Sequence, residues 1–239
     1  MSPRLEQGIS IKEQLVLKAG GSLLILPDSP RIDVKYTKKY LLFLEKLWLE
    51  GYGFINVSGG GELARIRETD SKLIGIRQPA HLDEIGIGIT ANTAQMLALT
   101  MKEKGYPAHV IFDREKDYLG KRMIFRGGTE AGHTTDHVAV EAAKIFFVSK
   151  VFILSNTDGF LRVDQGGALT DEVIPEVNLS HYLENALFHK PGIHTPLDRP
   201  AAELALQSGI TVVLLGRNLD NVRECIKGRQ FIGTIFYPR

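Results

Sequence analysis

The chain has a single cysteine in 239 residues, Cys225, and this scarcity excludes an internal disulfide. It also lacks an apolar run long enough to cross a membrane, and residues 1–14 lack the apolar core of a secretory signal peptide. These absences predict a protein of the reducing cytoplasm that has no membrane partner. The chain also has no excess of one charge, because it contains 29 Lys and Arg residues and 28 Asp and Glu residues. With no long basic block, a nucleic-acid partner is not expected.

What the sequence does contain is an alternation of short β-branched or apolar runs with longer amphipathic stretches. This alternation predicts an α/β fold with a mainly parallel sheet and helices on both faces, a three-layer αβα sandwich. Strands are expected at residues 15–18, 53–57, 108–112, 122–125, 151–154 and 211–215. Helices are expected at residues 36–50, 62–69, 83–104, 135–147, 197–208 and 219–227. Residues 1–239 are expected to form one domain, with a lobe boundary near residues 146–150.

Three glycine-rich turns follow three of these expected strands. They read KAGGS at residues 18–22, SGGGELAR at residues 58–65 and GGTEAGHTTD at residues 127–136. Because the carboxyl ends of parallel strands meet at one edge of a sheet, the turns are expected to face one cleft. Glycine lets backbone N–H groups approach a phosphate, and a helix that starts after the turn adds donors. Together with Lys18 and Arg65 the turns predict a polyphosphate cleft, although none matches the Walker or dinucleotide pattern.

These turns belong to an ordered set of motifs that extends from Leu15 to the C-terminus. The set is KAGGS, SGGGELAR, DEIGIGIT, GGTEAGHTTD, NTDG and LDRPAAELALQSGI. In this order the motifs resemble the amino acid kinase family, most closely its archaeal-type uridylate kinases. The resemblance implies transfer of the γ-phosphoryl group of ATP to UMP. It also implies Mg²⁺ bound with ATP, no metal held by protein residues, and a homo-oligomer, a hexamer built from dimers.

The resemblance also implies roles for individual residues. Lys18 and Asp198 are the implied catalytic residues, with Asp198 orienting the lysine. The residues implied for ATP are Lys18, Gly21, Ser22, Gly61, Arg65, Ser155, Asp158, Leu161 and Asp164. The residues implied for UMP are Gly60, Asp83, Thr129, Glu130, Gly132, His133, Thr134 and Thr135. The acceptor-binding lobe would cover roughly residues 1–147, and the ATP-binding lobe roughly residues 148–239.

Four segments depart from the family pattern. Ala91 and Thr93 alter the expected acceptor helix, Leu161 replaces an aromatic residue beside adenine, and Glu203 replaces a lysine common in archaeal members. Residues 185–195 are unusually rich in histidine. Two other functions therefore stay open. One is a kinase of this fold acting on another small phosphate, carboxylate or carbamate; the other is a non-catalytic nucleotide-binding or storage protein similar to the molybdenum storage proteins.

Several site residues also have a plain structural interpretation. Lys18 could instead be a solvated lysine at the end of a strand. Arg65 could instead form a surface ion pair with Glu62 or Glu68. Asp83 and Asp198 each have the spacing of a helix N-cap.

His133 and His137 lie four residues apart, as metal ligands on a helix do, and Asp136 lies between them. No third ligand stands at a diagnostic spacing, which argues against zinc. In one alternative His133 shapes the turn and His137 is solvated. In the other, His133 donates a hydrogen bond to a substrate phosphate.

Overall fold

The structure, a computed structural model, describes residues 11–112, 122–163, 169–184 and 196–238. The strands are β1 Glu13–Ala19, β2 Tyr52–Ser58, β3 Ala108–Val110, β4 Met123–Arg126, β5 Lys150–Leu154, β6 Phe160–Val163, β7 Leu169–Ile174, β8 Glu176–Asn178, β9 Thr211–Leu215 and β10 Thr234–Tyr237. The helices are α1 Gly21–Leu24, α2 Val34–Leu49, α3 Gly61–Leu73, α4 Pro79–Glu103, α5 Thr135–Ile145, α6 Leu179–Glu184, α7 Arg199–Ser208 and α8 Leu219–Ile226.

Eight of the strands form one sheet in the order β3-β4-β2-β1-β5-β9-β10-β8. Every neighbouring pair is parallel except β9 and β10, which run antiparallel. Strands β6 and β7 form a separate antiparallel pair. The prediction of a mainly parallel sheet is confirmed.

Helices cover both faces of the sheet because successive side chains of each strand point to opposite faces. Leu15 and Leu17 of β1 pack in a core with residues of α2, α4 and α8, and we call this side the α2 face. Val16 packs in a second core with residues of α5, α6 and α7, and we call this side the α5 face. The sheet between two helix layers confirms the αβα sandwich. By the same alternation, Lys18 shares the α5 face with Val16.

All the predicted strands and helices occur, and the strand Thr211–Leu215 has the predicted first and last residues. The main difference in bounds is at α4, which begins at Pro79 because proline suits the first turn of a helix. Strands β6, β7, β8 and β10 and the short helices α1 and α6 were not predicted. The division into an acceptor lobe and an ATP lobe stays a prediction. Within the described ranges, no helix combines the length and the apolar character that crossing a membrane requires.

Candidate functional site

Two of the glycine turns touch each other backbone to backbone at the carboxyl edge of the sheet. A Cβ atom on Gly21 would lie 2.0 Å from the backbone nitrogen of Gly61. Gly61 has a φ of +57°, in the left-handed region that favours glycine. The turn after β1 and the turn after β2 therefore form one continuous backbone surface, which only glycine at these positions permits.

The third turn is held against α4 by two hydrogen bonds. The backbone N–H of Gly128 donates to the hydroxyl of Thr90 at 2.7 Å, and that of Gly132 donates to the carboxylate of Asp83 at 2.8 Å. Asp83 lies inside α4, whose N-cap is Gln78, so the N-cap interpretation of Asp83 is wrong. Its carboxylate instead positions the turn that was expected to bind the acceptor.

A cavity of about 280 Å³ lies between α3, α4 and the third turn. Seven of its lining residues were predicted as site residues from the sequence: Gly60, Gly61, Asp83, Gly132, His133, Thr134 and Thr135. It is also lined by Ala64, Glu68, Gly86, Ile87, Thr90 and Gly128. Thr129 and Glu130, expected in the same pocket, are not among its lining residues. The volume is close to the lower end of the range for small-ligand pockets.

Lys18 forms an ion pair with Asp136, and the Nζ–Oδ1 distance is 2.8 Å. The two side chains are only 13% and 17% exposed, so the solvated alternative for Lys18 is wrong. Lys18 points to the α5 face, where Asp136 lies in the first turn of α5. The orienting role that the resemblance implies for Asp198 stays a prediction, and Asp136 was not identified from the sequence as a partner of Lys18. The signal available in the sequence was that Lys18 shares its face with Val16 and that α5 starts at the third glycine turn.

Asp198 is the N-cap of α7, as one of its two interpretations predicted. Its carboxylate accepts a hydrogen bond from the backbone N–H of Ala201 at 2.9 Å and another from the hydroxyl of Thr134. Burial raises the pKa of Asp198, and the nearby charge of Asp136 raises it further, while the two hydrogen bonds act in the opposite direction. The start of α5 and the start of α7 thus bring the carboxylates of Asp136 and Asp198 near each other, and Asp136 pairs with Lys18.

We expect Asp198→Asn to keep the cap and to remove a charge that is unfavourable in the folded protein. Because the folded pKa lies above the unfolded value, wild-type stability should fall as pH rises from the unfolded pKa through the folded pKa. The asparagine variant should lack this fall and be at least as stable at neutral pH. Asp198→Ala, which also removes the cap, should be destabilised by about 1 kcal/mol. Denaturant unfolding at several pH values tests this, and a pH dependence equal in wild type and Asp198→Asn would contradict it.

His133 and His137 lie against each other, with ring centroids 4.0 Å apart. His137 is half-buried, so the alternative in which it is solvated is wrong. Burial lowers the pKa of His137, and the charge of His133 lowers it further, which keeps the His137 imidazole neutral at pH 7. His133 does shape the turn, because its backbone N–H donates a hydrogen bond to the backbone carbonyl of Glu130. Over the part of the chain that the structure describes, no group of three or more His, Cys, Asp or Glu residues could hold a metal ion.

Four of the other residues expected for ATP follow β1 and β5 or lie in the β6–β7 hairpin. Ser22 is exposed in α1, and the backbone N–H of Ser155 donates to the carbonyl of Leu215. Asp158 packs against the residue that follows β9, so closely that its Oδ1 would lie 1.9 Å from a Cβ atom on Gly216. Leu161 pairs with Val173 in the β6–β7 hairpin. Asp164 lies outside the described residues.

Arg65 forms an ion pair with Glu62 at 2.7 Å and its side chain is 65% exposed. This is the surface pair that its plain interpretation predicted, and its role at phosphate stays a prediction. Glu203 forms an ion pair with Arg199 on the partly exposed side of α7. Thr93 is buried within α4, and residues 185–195 lie outside the described residues.

Comparisons with known proteins give a consistent result. The model of the amino acid kinase family matches residues 13–216. A uridylate kinase from Thermococcus sibiricus is 30% identical over 233 residues, covering 94% of this chain and 100% of the relative. A uridylate kinase from Pyrococcus abyssi is 29% identical, with the same coverage. The crystal structure of a uridylate kinase from Archaeoglobus fulgidus superposes with a TM-score of 0.75 at 24% identity, covering 93% of this chain and 99% of that one.

Proposed function

The chain belongs to the amino acid kinase family, and on this basis we propose that it transfers the γ-phosphoryl group of ATP to UMP. The relatives that span the chain are uridylate kinases, which favours UMP over the other acceptors considered. The observation that carries the proposal is the contact between Gly21 and Gly61. It joins the turn that would hold ATP to the turn that would hold the acceptor, as transfer between two bound phosphates requires.

On the donor side, the turn after β1 would bind the ATP phosphates. Backbone N–H groups at the start of a helical turn have no intrahelical partner, so those of Gly21 and Ser22 would donate to phosphate oxygens. Lys18 adds a positive charge at the same strand end. Phosphoryl transfer spreads negative charge over the oxygens of the moving group, and a fixed ammonium with oriented N–H donors stabilises that charge.

On the acceptor side, the 280 Å³ cavity would hold the nucleoside monophosphate. Gly60 and Gly61 offer N–H groups at the N-terminus of α3, where the helix dipole also favours an anion. The hydroxyl of Thr135 and the backbone N–H groups at the start of α5 would donate from the opposite wall, whereas the hydroxyl of Thr134 already donates to Asp198. Asp83 would accept hydrogen bonds from ribose hydroxyls, because a carboxylate in a phosphate-binding cavity needs neutral donors from its ligand.

The ion pair of Lys18 and Asp136 would set the position of the ammonium group between the two substrates. Asp136 lies close to the sheet and is mostly buried, so it restricts the lysine without needing to touch a substrate. The hydrogen bond from Thr134 to Asp198 ties the acceptor turn to α7. Both contacts fix groups that would otherwise lose conformational entropy on each catalytic cycle.

The site also fits Mg²⁺ carried by ATP. Mg²⁺ prefers oxygen ligands and is usually bound by substrate phosphates, several waters and one or two carboxylates. The carboxylates of Asp136 and Asp198 lie near the phosphate turns, so the available donors are of the right kind. Bound with ATP, Mg²⁺ would neutralise charge on the phosphate oxygens.

The other site residues keep their proposed roles. These are Arg65, Ser155, Asp158, Leu161 and Asp164 for ATP, and Thr129, Glu130 and His133 for the acceptor. The hexamer built from dimers is likewise proposed, and light scattering of the purified protein measures its mass.

A coupled assay with ATP, Mg²⁺ and a panel of UMP, CMP, AMP and GMP tests the function. We expect ADP to form over many turnovers, with the highest kcat/KM for UMP. No ADP with any of the four monophosphates would contradict a monophosphate kinase. A single turnover followed by retention of nucleotide would indicate a storage protein instead.

We expect Asp83→Asn to raise the KM for UMP about 10-fold and to leave the KM for ATP unchanged, because hydrogen bonds to a charged acceptor contribute about 1.5–3 kcal/mol. The asparagine still accepts the hydrogen bond from Gly132, so the turn keeps its position. Glu84→Gln, at an exposed neighbouring residue of the same helix, is the matched control. An equal rise in both KM values for Asp83→Asn would show that the residue supports the fold and not the acceptor.

A further inference from the structure

A second and larger cavity, of about 680 Å³, lies on the α2 face between α2 and the start of α8. Its lining residues are Asp33, Lys35, Tyr36, Lys39, Leu42, Phe43, Lys46, Arg217, Asn218, Leu219, Asp220 and Arg223. None of these residues lines the acceptor cavity, and none is assigned to ATP. The volume lies within the range of small-molecule sites.

The walls of this cavity are strongly basic. Five basic side chains line it against two acidic ones, in a protein whose overall charges nearly cancel. Lys35, Lys39 and Lys46 follow one another along one side of α2, and no carboxylate of the described residues lies within ion-pair distance of any of them. Three uncompensated ammonium groups facing one concave surface repel each other, and an anion between them would relieve that repulsion.

The opposite wall adds groups that suit a phosphate. Arg217 forms an ion pair with Asp33 at 3.1 Å and lies over the ring of Tyr36, 4.9 Å from its centroid. These contacts hold the guanidinium in the lining of the cavity. Just after Arg217, α8 begins with its N-cap Asn218, whose side chain accepts hydrogen bonds from the backbone N–H groups of Asp220 and Asn221.

The floor of the cavity is aromatic and apolar. Tyr36 and Phe43 are 7% and 5% exposed, and Leu42 is half exposed beside them. The hydroxyl of Tyr36 is buried and has no hydrogen-bond partner among the described residues. Burial raises the pKa of Tyr36 to about 12, so the hydroxyl keeps its proton as a donor.

We propose that this cavity is a second binding site, for a polyphosphate-bearing small molecule distinct from the two substrates. Lys35, Lys39 and Lys46 surround the phosphates from α2, and Arg217 contacts them from the start of α8. The apolar floor takes a non-phosphate part of the ligand where there is one. The site goes beyond the proposed kinase reaction and does not depend on it.

Two adjacent lysines of α2 give a matched test. Lys38 and Lys39 are both exposed, but only Lys39 lines the cavity, so Lys38→Glu and Lys39→Glu change the net charge equally. The probe is inorganic tripolyphosphate, measured by titration calorimetry. We expect Lys39→Glu to weaken its binding about 10-fold at this site, and Lys38→Glu to bind as the wild type does.

Hydrogen exchange of residues 34–46 and 219–226 gives a readout that binding in the catalytic cleft does not move. At a concentration near the wild-type Kd, tripolyphosphate should protect these segments in wild type and in Lys38→Glu, and much less in Lys39→Glu. Equal effects of the two substitutions, or no protection of either segment in the wild type, would overturn the proposal.

Repeating the titrations with ATP distinguishes the two sources of polyphosphate. If the cavity takes nucleotides, Lys38→Glu should bind a second ATP about 10-fold more tightly than Lys39→Glu does. If it takes only free polyphosphate, the two variants should bind ATP alike and differ only with tripolyphosphate.

Discussion

Replacing Lys18 by methionine is expected to lower kcat by about 10²–10³-fold and to leave both KM values nearly unchanged, because a fixed donor to transition-state charge contributes that much. Methionine keeps the length and apolar stem of the side chain and removes only the ammonium group. The ground-state phosphates keep their backbone donors, so binding should persist while the developing charge is no longer neutralised. Steady-state kinetics with ATP and UMP measure the effect.

The ion pair makes this prediction more specific. Asp136→Asn should lower kcat by about 10-fold, because the lysine loses the partner that positions it. In the Lys18→Met background the same change should have almost no further effect, since nothing is left to position. Lys144→Met, at an exposed residue of α5, controls for the loss of a lysine. Unchanged kcat in Lys18→Met, or equal losses in Lys18→Met and Lys144→Met, would contradict the role.

The second large effect is expected for Gly21→Ala. The new methyl group would lie 2.0 Å from the backbone nitrogen of Gly61, and backbone cannot turn away as a flexible side chain does. Overpacking of this kind destabilises a protein by about 1–3 kcal/mol. Moving the two turns apart by about 1 Å should lower kcat/KM roughly 10²-fold. Denaturant unfolding and steady-state kinetics together measure both losses.

The matched control is Gly88→Ala in the middle of α4, where a Cβ atom would meet nothing within 4 Å. Alanine is favoured over glycine in a helix by about 0.5–1 kcal/mol, so this variant should be slightly more stable and fully active. If Gly21→Ala behaved like Gly88→Ala, the contact between the two turns would have no importance for catalysis.

The order of the main strands and helices could be predicted from the sequence because it depends on local patterns of apolar and turn residues. The apolar run at Thr211–Leu215 is bounded by turn residues on both sides, and the strand follows it to the residue. The start of α4 was predicted at Asp83, because aspartate is a common N-cap residue. The helix begins earlier, with Gln78 as its N-cap and Pro79 as its first residue. The hairpin Phe160–Val163 with Leu169–Ile174 was missed because neither strand has a strong apolar alternation.

The site was predicted in part, and the missing part depends on contacts between distant segments. The glycine turns are local motifs, so Gly60, Gly61 and Gly132 could be placed in advance. The partner of Lys18 could not, because Asp136 is 118 positions away in the chain and approaches only through the packing of α5 on the sheet. The basic cavity was missed for the same reason, since α2 and α8 meet only in the folded chain.

The single cysteine makes this protein a convenient reporter of its own unfolding. Cys225 lies in α8, is 6% exposed, and burial raises the pKa of its thiol to about 11, which leaves little thiolate at neutral pH. A thiol reagent should therefore modify the chain only when α8 opens. The modification rate then measures the stability of the segment that forms one wall of the basic cavity, with no label added and no residue changed. A ligand bound there should slow the reaction in proportion to its occupancy.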